Sequence, residues 1–152
     1  MLTFLAVAVL QAAALPAEFT AQGQAMARDS VTAEFCASVG WDANPAAPAA
    51  LAAEIDALAT RTGVAPDEAR AALTAMAREA TQALRAETAP PAPDPASRRA
   101  FIDRLDAKAR RDCTALAQRR PAMFRGDVAT NQAQVDRVFA GIRNPSATPA
   151  GS

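Results

Sequence analysis

The chain predicts an all-α fold, a small bundle of four to five helices held by one disulfide and preceded by a signal peptide. Three observations predict the helical class. Alanine, the strongest helix former, accounts for 43 of the 152 residues. The residues that favour strands are scarce, with six Phe, one Trp and no Tyr. Apolar residues recur at spacings of three and four, in segments separated by Gly and Pro.

The first segment reads as an address and not as part of the bundle. Leu2 to Leu15 is an uncharged apolar run that ends in Ala-Ala-Ala-Leu-Pro-Ala. It has the length of an export signal followed by small residues, whereas a bilayer-spanning helix needs about 20 residues. No Lys or Arg precedes the run, so only the terminal amine supplies positive charge. Cleavage after Ala14 or after Ala17 suits the small-residue rule, the former better because it leaves Ala12 upstream. The alternative is a retained first helix with Phe4, Leu5, Val9 and Leu10 on its buried face. The export reading assigns 1–17 to the signal, 18–143 to a helical domain and 144–152 to a disordered tail, and places the protein in the periplasm or outside the cell.

From Glu18 to about Val39, Val31, Phe35 and Val39 recur at helical spacing with Cys36 at their edge. Phe19 and Met26 lie on another face, which predicts two shorter pieces broken near Gly23 or Asp29, or an early part that packs separately. Gly40 ends this helix. Asn44 and Pro45 have the chemistry of a cap and first position for the next. Leu51, Ile55 and Leu58 make its stripe, and Thr62-Gly63 closes it. Pro66-Asp67-Glu68 then opens a third helix, with proline at the first position and two acids at the positive end of the dipole. Leu73, Met76, Ala80 and Leu84 continue it.

Pro90, Pro91, Pro93 and Pro95 make the following link stiff and extended. Asp94 can cap a long helix whose stripe is Ile102, Leu105, Ala109, Cys113 and Leu116. Pro121 interrupts it, with Met123 and Phe124 packing in the corner. A last helix from about Asp127 carries Val128, Val135, Val138, Phe139 and Ile142.

Cys36 and Cys113 both lie on or beside apolar stripes and have one intramolecular partner choice in an oxidising compartment. Joined, they close a loop of about 77 residues. Unjoined, they would be two buried thiols.

The charge pattern is uneven although the net charge is zero. Residues 18–63 carry −4, 64–97 carry −2 and 98–152 carry +6. Such asymmetry suits an anionic partner, or lets two halves of one fold attract each other. Arg110, Arg111, Arg119, Arg120 and Arg125 are candidate binding residues for a carboxylate, a phosphate or an acidic protein. The same arginines would otherwise serve helix C-termini and surface ion pairs. Trp41, in a turn, is a candidate interface anchor or a plug at the end of the bundle.

The chain has no histidine, which removes the commonest general base and metal ligand and every Ser-His or Cys-His arrangement. The glycines are scattered, with no phosphate-cradling loop. Neither a catalytic residue, a metal site nor a cofactor is expected. The paired acids Asp67/Glu68 and Asp103/Asp106 leave a carboxylate hydrolase as an alternative, although each has a structural explanation in a helix terminus or in pairing with Arg99, Lys108 and Arg110. The basic segment lacks interleaved aromatics, so nucleic acid is not an expected partner, and no stable membrane anchor is expected. The sequence thus reads as a small exported helical binding protein of the chaperone, inhibitor or immunity, or envelope-accessory kind, with a protein partner. A second alternative is an intracellular interaction protein that keeps its first helix.

Overall fold

The computed structural model describes residues 14–145. Residues 1–13 of the expected export signal and 146–152 of the expected tail lie outside the described residues. The described chain is all-α, with five helices: α1 (Ala17–Ser38), α2 (Ala47–Thr62), α3 (Pro66–Glu87), α4 (Pro95–Arg119) and α5 (Val128–Arg143). A short 3-10 turn, Pro121–Met123, separates the last two.

α1 runs unbroken through Gly23 and Asp29, so the mismatch of its apolar faces is not a break in the helix. It reflects two cores. Phe19 and Met26 pack with Leu58, Ala59, Val64 and Ala69 of the α2–α3 hairpin. Cys36 and Val39 pack with Ala109, Cys113, Leu116, Val135 and Phe139 of α4 and α5. Gly23, expected to disturb the helix, instead permits close approach of α3: a Cβ there would lie 3.0 Å from Met76 Sδ and 3.3 Å from Leu73 Cδ2.

α1 and α2 end in the same way. Gly40 (φ 108°) and Gly63 (φ 70°) take the positive φ that a side chain disfavours. The amides of the residues that follow, Trp41 and Val64, donate back to Cys36 O (3.0 Å) and Ala59 O (2.9 Å). This closing pattern turns an apolar side chain inward. Trp41 is therefore delivered into one core and Val64 into the other.

α3 begins with Pro66 at its first position, as expected, and α4 with Pro95. Asp94 caps α4 by accepting from Ser97 N at 2.9 Å, and Asp127 caps α5 by accepting from Thr130 N at 2.7 Å. The start of α2 differs from expectation. The helix begins at Ala47, two residues later than expected, with Pro48 in its first turn, and the turn before it is held by Asn44. Its Oδ1 accepts from Ala46 N, and its Nδ2 donates across the molecule to Ala122 O at 2.8 Å.

That bond belongs to a clasp between two loops. Asn44 N donates to Met123 O at 2.9 Å and Arg125 N to Asp42 O at 2.7 Å. Asn131, buried in α5, completes it: Oδ1 accepts from Asp42 N, and Nδ2 donates to the carbonyls of Arg125 and Asp127. Cys36 and Cys113 form the expected disulfide, with 5.7 Å between their Cα atoms and both residues 0% exposed. It ties α1 to α4. Among the described residues, no helix is long and apolar enough to cross a membrane.

Candidate functional site: a cationic groove beside the proline link

Three prolines of the α3–α4 link, Pro90, Pro91 and Pro93, line one wall of a groove whose other walls are the start of α4 and the end of α5. Proline fixes φ and keeps this link extended, so it cannot fold back as helix to fill the space. The apolar end, about 490 Å³, is floored by Phe101, Ile102, Leu105, Phe139 and Ile142. The charged end, about 800 Å³, is edged by Arg98, Arg99, Asp103 and Arg143. Pro93, Arg98, Ile102 and Ile142 line both ends, which makes the groove continuous. Ile142 is 51% exposed and is the exposed large hydrophobic among the described residues.

The arginines of the rim are not equivalent. Arg143 donates to Asp103 and to Asp106, each at 2.9 Å. Arg98 and Arg99 have no ion-pair partner among the described residues. They sit near the start of α4, whose N-terminus the Asp94 carboxylate already caps, and neither is used to close a helix terminus.

Beneath the rim, Asp106 is nearly enclosed. Burial alone would raise its carboxyl, but hydrogen bonds from Arg143 and Arg110, with the charge of both, hold it below the ordinary value of 3.8. Lys108 shows the opposite sign for the same reason. Burial would lower its ammonium, yet bonds to Asp112 and Glu87 outweigh burial and raise it. Expected pairing within α4 is thus realised for Asp106 with Arg110 (2.8 Å), while Asp103 and Asp106 share Arg143 from α5 and Arg99 takes no part.

The five arginines singled out in the sequence are not brought into one patch. Arg110 binds Asp106 and Asp136, and Arg111 binds its neighbour Asp112. Arg119 and Arg120 converge on Asp29 of α1 at 3.0 and 2.6 Å, and Arg120 also reaches Glu54 at 2.8 Å. Arg125 binds Asp42 at 2.6 Å. Acids of the early chain thus meet bases of the late chain within the molecule. Trp41 is 3% exposed, edge-on to Phe124 at 4.9 Å, and its indole Nε1 has no hydrogen-bond partner among the described residues.

Arg98 was not singled out by its sequence pattern, and Ile142 read only as part of a core stripe. One signal does mark the place: two adjacent arginines three and four positions beyond the last proline of the link, near the start of a helix. Among the described residues no cluster of acids or cysteines is arranged to hold a metal ion.

The fold and groove together define a disulfide-tied helical bundle with an open amphipathic cleft. No family model, curated protein or solved structure matches the chain.

Proposed function

We propose that the chain is a small exported binding protein that uses the groove between the proline link and the ends of α4 and α5. The observation that carries this reading is the pairing of unpartnered Arg98 and Arg99 with a floor of accessible apolar side chains, Ile102 and Ile142 among them. Concave, mostly apolar sites with a few convergent polar groups are the usual form of a ligand site. The disulfide supports the compartment, since such bonds persist in oxidising spaces.

The carboxylate hydrolase draws less support. Of its candidate acids, Asp106 is held ionised by two arginines, the reverse of what a general acid needs, and Asp67 pairs in the open with Arg70.

Two measurements test the two parts. Intact mass of the native protein should show a terminus at residue 15 or 18 and no free thiol; Met1 retained together with two free thiols would overturn export. The anionic fluorophore 8-anilinonaphthalene-1-sulfonate should bind the folded protein saturably at one site, and Ile142→Asp should weaken it about tenfold. Undiminished binding by that variant would remove the groove as the site.

A further inference from the structure

We infer that the groove takes a single-chain anionic amphiphile, a long-chain fatty acid, with its carboxylate between Arg98 and Arg99 and its tail along Ile102, Leu105 and Ile142. The inference rests on the groove being a binding site and is independent of export.

The head group follows from the charges. The charged end presents three guanidinium groups against one carboxylate, Asp103. Arg143 already serves Asp103 and Asp106, so Arg98 and Arg99 are left to accept a negative group. Forked guanidinium bonds suit a planar carboxylate.

The tail follows from the wall. A peptide laid in extended form along the link would seek backbone donors, but of the four link residues on this wall only Ala92 has one, and Pro90, Pro91 and Pro93 have none. An aliphatic chain needs no donor. The side chains it would meet, Phe101, Ile102, Leu105, Phe139 and Ile142, are all apolar. The apolar end, about 490 Å³, lies within the range of about 300–1,000 Å³ usual for small-molecule sites.

The test is calorimetric titration of the full disulfide-bonded chain with octanoate, decanoate and dodecanoate, each below its micelle concentration. Affinity should rise by up to about fourfold per added methylene until the groove is filled. The uncharged dodecanol should bind about tenfold more weakly than dodecanoate. Arg98→Ala with Arg99→Ala should weaken dodecanoate about tenfold and abolish the preference over dodecanol. Both side chains are exposed, so this variant should keep its helical circular dichroism. The matched control, Arg78→Ala with Arg85→Ala on α3, removes the same charge away from the groove and should leave affinity unchanged.

No saturable dodecanoate binding, equal binding of dodecanol, or equal weakening by the control pair would each overturn the inference. Tighter binding of an apolar peptide ending in a free carboxylate would do the same in favour of a protein ligand. Fluorophore binding at the groove without dodecanoate binding would leave the binding-site reading standing and reject only the ligand class.

Discussion

The N-terminal half of α1 packs Phe19 and Met26 against the α2–α3 hairpin, while its C-terminal half packs Cys36 and Val39 against α4 and α5. The first core is small and rests mainly on apolar contact, with Ala59 and Ala69 among its six buried residues. Its main cross-element polar contact is the exposed pair Arg61–Glu18 at 3.2 Å, a kind worth little in water. The second core adds the disulfide, the Trp41–Phe124 contact, the Asn131 clasp and the Asp106–Arg143 pair. The second core also buries the larger side chains, Trp41, Leu116, Met123, Phe124 and Phe139 among them, so its covalent and polar ties add to the greater apolar burial. The groove lies on the tied half, where the bonds of Arg143 to Asp103 and Asp106 join its α4 and α5 walls.

The largest test of this division is to remove the tie. Replacing Cys36 and Cys113 together by Ala should lower stability by about 4.5 kcal/mol on the chain-entropy account for a separation of 77 residues. Urea unfolding, followed by Trp41 fluorescence in the tied half and by far-ultraviolet circular dichroism over all helices, measures it. A loss below about 1 kcal/mol would show that the second core stands without its cross-link. Next in size is Leu58→Ala in the untied core, where Leu58 is fully buried; it should cost about 2–5 kcal/mol. With the disulfide intact, part of the helical signal should be lost before Trp41 fluorescence changes. Coincident transitions would mean that α1 couples both cores into one cooperative unit.

Acid should act on the tied half first. The folded Asp106 carboxyl titrates below its ordinary 3.8, so its pairs stabilise the protein fully above that value, and the contribution fades as pH falls through the depressed folded value. Asp106→Asn should cost about 1–3 kcal/mol at neutral pH. The gap to wild type should close in strong acid, as read from urea midpoints across pH. A gap independent of pH would assign the loss to packing instead of charge.

How much of this was legible in the sequence depended on the range of the interaction. Features decided within a few residues read correctly: Pro66 and Pro95 at first helical positions, Asp94 as a cap, the start of the last helix near Asp127, and Gly40 and Gly63 as closures. The disulfide was legible because each cysteine lay on or beside an apolar stripe and had one partner to find. Asn44 misled because its Oδ1 holds Ala46 N in a turn that precedes the helix, while its Nδ2 reaches Ala122, 78 positions away. Gly23 misled because its use is visible only once Met76 lies opposite. The acids that take up Arg119, Arg120 and Arg125 lie 66 to 91 positions away, and no local spacing could reveal that pairing. The groove was least legible, since it is space left between a link and two helix ends, and no single element's periodicity encodes it.

The smallest expected effect is the most discriminating about how the tied core is finished. Trp41 is placed by the closing turn of α1, and its ring fills the core while its indole Nε1–H stays unpaired, a state that costs about 1–3 kcal/mol. Trp41→Phe removes that donor but leaves a smaller ring and some unfilled volume, and the two changes have opposite signs. The net change should therefore lie within about 1 kcal/mol of wild type by chemical denaturation followed by circular dichroism. A loss of about 3 kcal/mol or more would show that the indole is held by a bond, such as one to a buried water, and that the tied core depends on Trp41 as a polar tie in addition to its bulk.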